Sequence, residues 1–315
     1  MEGLSNLVSM PSACAPISVI IPVRDRLQQL LLTLTKIKAC NPPPQEILVF
    51  FDGNDQTLID EIRVHHPDVH VLGSESPIGP GGGRNILVEA SCGPLIASFD
   101  DDSYPATIDY FGRVIKTFKM FENAAILGAK VVNRGGDFSG ENMAFQKIGE
   151  FSGCGCIYKK SWFEKTRGYV PRVVAYGMEE CDVSLQIHDL GGMIIEDSQL
   201  RVIHDRSDDS RFTTEMQSDS VVNSALFPFL RYPLWLLPMG LWHLISKIIW
   251  ELKHGRWLSV CIGLWRTPGT LWRFSSLRHP VSSASVLSWL HLRRNSVAIE
   301  PTKKAANSTH GSVDI

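Results

Sequence analysis

The chain has 315 residues, 44% hydrophobic and 20% charged, with 25 Gly and 18 Pro. That balance excludes a collagen, a coiled coil and a wholly disordered polymer, and the length suffices for a large core. The net charge of −2 conceals an asymmetry: residues 1–225 carry 20 Lys and Arg against 30 Asp and Glu, whereas residues 226–315 carry 11 against 3. Seven of the eight tryptophans also lie beyond residue 225. An acidic body followed by a basic, aromatic segment is the arrangement of a protein that meets an anionic surface.

The first sixteen residues hold no Lys or Arg and no long apolar run, unlike a signal peptide. The seven cysteines form no CxxC pair, which is read as a reducing, cytosolic setting. From Ile17 the sequence alternates in character. Ile17–Ile21 is a β-rich run ended by Pro22, and a helical pattern extends from Asp25 to Ala39. Strand Glu46–Phe51, helix 57–65, strand 69–72, a glycine-rich turn at 79–83, a helix from Asn85 and strand Leu95–Phe99 follow. Alternating strands and helices predict an α/β, mostly parallel, doubly wound sheet, with ligands at the carboxyl ends of its strands. Farther on, Ala125–Val132 and Phe151–Tyr158 read as strands, 133–144 as a polar loop and Glu179–Leu190 as a helix stopped by Gly191-Gly192. On the second of these strands Cys154 and Cys156 share a face and read as buried reduced thiols rather than as a metal or redox pair.

Several polar clusters stand just after these strands. Asp100-Asp101-Asp102 closes an apolar strand, and alternation points Asp100 and Asp102 the same way. Two convergent carboxylates suit Mg²⁺ or Mn²⁺, although a solvated turn before a helix near Pro105 would look the same. Asp52, in Phe51-Asp52-Gly53-Asn54-Asp55, can accept hydrogen bonds from a nucleoside or simply form a turn. Gly79-Pro80-Gly81-Gly82-Gly83-Arg84-Asn85 opens a helix as phosphate-binding loops do, or is a flexible loop; it is not GxGxxG, and no GxxxxGK[ST] occurs. Glu179-Glu180-Cys181-Asp182 puts acids in a first helical turn, where they complement the dipole or supply a general base. Glu179 and Glu180 stand about 100° apart, so only one can face a given pocket. His204, after Val202-Ile203, is a structural histidine or a metal ligand.

In order, these pieces resemble glycosyltransferase family 2: Ser18–Pro22, Phe51–Asp55, Gly79 with Arg84-Asn85, Asp100–Asp102, Gly153-Cys154-Gly155, Tyr158–Lys160, Glu179–Asp182 and His204. The resemblance covers roughly residues 16–210 and implies a GT-A fold, Rossmann-like, with a mostly parallel mixed sheet and helices on both faces. It implies a nucleotide-diphospho-sugar donor held against Pro22, Asp52, Gly79, Arg84, Asn85, Asp100 and Asp101. It also implies Mg²⁺ or Mn²⁺ held by Asp100, Asp102 and His204, with Asp102 the direct ligand. Glu180 takes the place of the catalytic base, with Glu179 and Asp182 beside it, and the transfer inverts the anomeric centre. Two departures stand out. The family usually has two acids where Phe51-Asp52 stands, and Glu180 replaces a more common Asp, reaching about one carbon farther.

The expected organisation is a leader over 1–15, a GT-A domain over 16–222, a helical membrane-associating region over 223–294 and a disordered tail over 295–315. The longest run around Tyr232–Ser246 without Lys, Arg, Asp or Glu is 15 residues, short of the roughly 20 needed to span a bilayer. Trp235, Trp242, Trp250, Trp257, Trp265 and Trp272 recur among basic residues, the pattern of in-plane interfacial helices or of a helical subdomain packed on the body. The expectation is therefore a peripheral or monotopic enzyme at the cytoplasmic face of a membrane, contacting it through 226–275. Its expected acceptor is lipid-linked or a glycan, and no nucleic acid is expected as partner. A sugar nucleotidyltransferase is the nearest enzyme alternative, but it would want a glycine-rich loop where Pro22-Val23-Arg24-Asp25 stands. A non-catalytic sugar-nucleotide or membrane-binding module is the other.

Overall fold

The computed structural model describes residues 14–53, 55–136, 143–174, 177–205 and 213–301. The chain begins with β1 (Ala15–Val23), α1 (Leu27–Lys38), β2 (Pro44–Asp52), α2 (Gln56–His65), β3 (His70–Ser74), α3 (Gly79–Ala90) and β4 (Leu95–Ser98). Then come β5 (Ser103–Pro105), α4 (Tyr110–Met120), β6 (Ala124–Asn133), β7 (Phe145–Lys147), β8 (Cys156–Lys159), α5 (Lys160–Phe163), α6 (Glu179–Asp189) and β9 (Met193–His204). The helices α7 (Thr214–Arg231), α8 (Leu237–Lys253), α9 (Trp257–Arg273) and α10 (Ser283–Arg294) precede β10 (Val297–Ile299).

The sheet runs β10-β7-β9-β6-β8-β4-β1-β2-β3, with β5 paired to β9. Strands β3, β2, β1 and β4 are mutually parallel, as are β6 and β9; the remaining pairings are antiparallel. The sheet is thus mixed, as the GT-A resemblance implies, with its parallel pairings in β3-β2-β1-β4 and β6-β9. Alternation along β1 sends Ile17, Val19 and Ile21 into one apolar layer and Ile20 into the other. The first layer is closed by Leu30 and Leu34 of α1, Ile62 of α2 and Val114 of α4; the second by Leu87 of α3 and Val183 and Ile187 of α6. Each such fully buried aliphatic side chain contributes roughly 1.5–3 kcal/mol. With helices on both faces, only the strand ends are left for polar chemistry.

Four local expectations are corrected. Residues 79–83 are the first turns of α3, not a turn before it. The glycines are required by proximity: a Cβ on Gly83 would lie 2.6 Å from the Phe50 ring and one on Gly81 2.8 Å from Tyr169 Cβ. Gly79 has φ +82°, and a Cβ there would meet the Arg172 carbonyl oxygen at 1.7 Å. Gly79→Ala is expected to cost at least about 2 kcal/mol from the left-handed backbone and the displaced carbonyl, read as a lower urea midpoint. Next, the strand expected over Phe151–Tyr158 begins only at Cys156, because Gly153–Gly155 forms a 3₁₀ turn containing Cys154. The segment near Pro105 is strand β5, and the next helix starts at Tyr110. Lastly, the tail expected to be disordered from 295 contributes β10, which pairs antiparallel with β7. Residues 137–142 of the polar loop and 302–315 lie outside the described residues.

The helical region is a packed subdomain. Helix α7 runs without a break across the boundary expected at 222, and α9 seats Gly263 against Ser218 and Val221 of α7. Trp289 of α10 is fully buried and donates its indole N–H to the Gly149 carbonyl at 2.6 Å. By contrast, Trp235, Trp242, Trp257, Trp265 and Trp272 are exposed. Among the described residues no helix is long and apolar enough to cross a membrane.

Candidate active site

The carboxyl ends of β1, β2 and β4 open on one cleft formed by two adjoining cavities of about 690 and 410 Å³. Asp100, Glu179 and Glu180 line both cavities; His204, Gly153 and Cys154 line the larger one, and Pro22, Arg26, Asp52, Arg84 and Asp101 the smaller.

Arg84 organises the acids. Its guanidinium is buried, donates to Ser98 Oγ at 3.1 Å and pairs with Asp100 and, at 3.4 Å, with Glu179. Burial works against that charge, but Asp100 and Glu179 outweigh it and hold Arg84 well above its usual pKa. Glu179 is itself buried, which pushes it up to about 8 although Arg84 opposes the shift. Glu180 is only partly covered and faces the cleft. Burial raises its pKa, again against Arg84, and Asp100 adds repulsion. Its position is set closely: a Cβ on Gly153 would stand 2.5 Å from Glu180 Oε1.

The three consecutive aspartates divide into separate roles. Asp101 and Asp102 turn inward to Arg26, which reaches each at 2.5 Å. Burial pushes Asp101 up to about 7, with Arg26 opposing. Asp102 is also desolvated, but its bond to His204 and the charge of Arg26 prevail and hold it below the usual carboxylate range. Its Oδ1 lies 2.9 Å from His204 Nε2. That leaves Nδ1 of His204 toward Cys154, whose Sγ is 3.5 Å away. Asp100, Cys154 and His204 bring one potential ligand atom each within 4.8 Å of one another.

This donor set fits a divalent ion. A carboxylate and an imidazole suit Mn²⁺, whereas the soft sulfur of Cys154 is a poor partner for a hard cation. Asp102 stands behind His204, in the position of a carboxylate that fixes the imidazole's tautomer and orientation.

Other expected residues are placed differently. Asp52 lines the cleft, but both its oxygens accept backbone N–H groups, from Ile78 at 2.6 Å and Gly79 at 3.0 Å, and so fasten the start of α3 to the end of β2. Asn85 does not reach the cleft: its amide accepts from Tyr169 N–H and donates to the Tyr169 carbonyl, both at 2.9 Å. Asp182 is also removed from the cleft. Two residues past Glu180 is a rotation of about 200°, and the carboxylate is buried against Arg231 of α7 in a two-pronged ion pair. Sequence reasoning passed over Arg26 and read Cys154 as a buried thiol. Arg26 follows β1 and was findable from that position alone; the spacing of Cys154 from Cys156 gave no sign of its contact with His204.

Residues 18–167 match the family model of Glycosyl transferase family 2. Over this stretch, just under half of its length, the chain is similar to that family. The domain has the GT-A fold, seen also in solved structures of low identity. One is GalNAc-T7 with UDP, GalNAc and Mn²⁺, at 15% identity and TM-score 0.55, covering 71% of this chain and 49% of that one. Another is the mannosyltransferase PcManGT from Pyrobaculum calidifontis in complex with GDP-Man and Mn²⁺, at 13% identity and TM-score 0.54, covering 90% of this chain and 88% of that one. A third is S. aureus TarS 1-349 in complex with UDP-GlcNAc, at 16% identity and TM-score 0.51, covering 74% and 80%. The chain spans about half the length of the GalNAc-T7 chain. No curated protein matches it.

Proposed function

We propose that the protein transfers a sugar from a nucleotide-diphospho-sugar to an acceptor hydroxyl by a single displacement that inverts the anomeric centre. The observation that carries this reading is the meeting, in one cleft of a domain similar to family 2, of a metal-competent Asp100–His204 pair with the partly exposed carboxylate of Glu180. GalNAc-T7 and PcManGT were each solved with a nucleotide and Mn²⁺.

Asp100 and His204 would hold Mn²⁺ or Mg²⁺, which when bound neutralises charge on a departing diphosphate. Asp102 orients His204 for that task. Arg84 supplies a buried positive charge and keeps Asp100 aimed into the cleft. Glu180 accepts the proton from the acceptor hydroxyl, because it alone of the two adjacent glutamates is partly open to the cavity, whereas Glu179 is buried against Arg84. The smaller cavity, with Pro22, Arg26 and Asp52, takes the nucleoside end of the donor.

The exposed tryptophans of α8 and α9 and the neighbouring Lys253, Arg266 and Arg273 support a place at the cytoplasmic face of a membrane, with a lipid-linked or glycan acceptor.

A thermal-shift screen of nucleoside diphosphates with Mn²⁺ or Mg²⁺ tests the donor site. A ligand at about 100 times its Kd stabilises by roughly 2.7 kcal/mol, and one nucleotide is expected to shift the midpoint only with metal present. Release of pyrophosphate in a turnover assay would overturn glycosyl transfer in favour of nucleotidyl transfer. Asp102→Asn removes the orienting carboxylate and is expected to weaken Mn²⁺ binding about 10–100-fold, measured by titration calorimetry; unchanged affinity would refute its supporting role.

A further inference from the structure

A separate cavity of about 630 Å³ lies beside the donor cleft, with Val173 and Val174 lining both. It is lined by Pro77 and Ile78 before α3, by the 171–174 segment, and by α7 and α9, and is open to the outer surface. Three guanidiniums enter it, Arg172, Arg266 and Arg273, against the carboxylates of Glu215 and Asp219. Asp219 is shared: one oxygen pairs with the nearly buried Arg172 at 2.8 Å, the other with Arg266 at 3.4 Å. Arg273 has no ion pair among the described residues and rests 5.5 Å from the centre of the Phe274 ring, which Arg172 also approaches at 5.6 Å. Burial lowers the pKa of Arg172, and the charges of Arg273 and Arg266 add to that against Asp219. The cavity is therefore short of negative charge where its arginines converge.

Helix α9 links this cavity to the outer surface. At about 100° per residue, Arg266, Thr270 and Arg273 share one face and Trp265 and Trp272 the adjacent one. Both tryptophans are more than four-fifths exposed. A molecule with an anionic head and a hydrocarbon body meets, on one helix, a guanidinium pocket and an aromatic flank.

We propose that this cavity binds the phosphate group of a membrane-borne acceptor, with its hydrocarbon along Trp265 and Trp272 and its sugar-accepting end past Val173 and Val174 in the cleft. The inference rests on the membrane-surface reading above. A planar guanidinium suits a phosphate oxygen pair better than an ammonium does, so the site discriminates an exposed phosphate from diffuse negative charge.

The test is flotation of the full-length chain with phosphatidylcholine vesicles containing either phosphatidic acid or, at matched surface charge, phosphatidylserine. The wild type is expected to prefer phosphatidic acid about tenfold, equivalent to about 1.4 kcal/mol. Arg266→Gln/Arg273→Gln, at exposed positions of α9, is expected to abolish that preference. Lys247→Gln/Lys253→Gln removes equal charge outside the cavity and is expected to weaken both bindings while keeping the preference. Equal binding to both vesicles by the wild type overturns the phosphate site and leaves the membrane reading standing; binding to neither overturns both. Thermal stabilisation by inorganic phosphate that the arginine variant loses, without a vesicle preference, assigns the cavity to a soluble phosphate and overturns the lipid headgroup.

Discussion

Glu180→Gln is expected to lower transfer about 10²–10⁴-fold, the range for loss of a positioned general base, while nucleotide binding changes less than about twofold. The substitution keeps shape and removes only the ability to accept a proton. Glu180 is partly open to the cavity, whereas its neighbour is buried against Arg84 and Gly81. Glu179→Gln is therefore the control. Glu179 is buried and does not present its carboxylate to the acceptor, so its amide is expected to cost less than about tenfold. Single-turnover release of nucleoside diphosphate and a parallel nucleotide titration measure both. Similar losses in the two variants would overturn the assignment of the base to Glu180.

Arg231→Met is expected to destabilise the protein by about 3–5 kcal/mol, the cost of leaving a buried charge without its partner. Asp182 and Arg231 are each about 1% exposed, and Arg231 meets both carboxylate oxygens. Burial nevertheless keeps the Asp182 pKa raised against the pull of Arg231 and Gln186. The pair thus recovers only part of its dehydration. Asp182→Leu/Arg231→Met is accordingly expected to regain most of the lost stability, since apolar replacement of a whole buried pair is often close to neutral. Urea midpoints of the two variants decide it. If the double variant is no more stable than the single one, the pair contributes more than its burial costs. Because Asp182 sits on the helix that carries Glu180, the single variant is also expected to lose activity before it unfolds.

The first half of the fold was legible because its strands are short apolar runs and its helices repeat at 3.6 residues. Asp52, Asp100 and His204 were findable for the same reason: each ends a strand, where a sheet covered on both faces leaves room for chemistry. What misled was tertiary. The glycines of α3 read as a turn by propensity, yet they are helical because Phe50, Tyr169 and Glu179 press against them. Asp182 and Asn85 carry suitable chemistry but are rotated away from the cleft, and no local pattern gives the direction of the cleft. Cys154 meets His204 across 50 residues of chain, and the partners of Arg26 lie about as far away as β4. Contacts at such separations follow from strand order, which periodicity does not encode.

The return of the chain through β10, which pairs with β7 and forms the edge of the sheet, changes what the four last helices are. They form a closed excursion with both stems rooted in the same sheet, and Trp289 and Arg293 bolt the returning stem beside Glu150, on the rim of the cleft. A lever anchored at two points cannot swing like a flap. The aromatic flank and the mouth of the cleft thus share one scaffold, and removing β10 would leave the returning stem held by Trp289 and Arg293 alone.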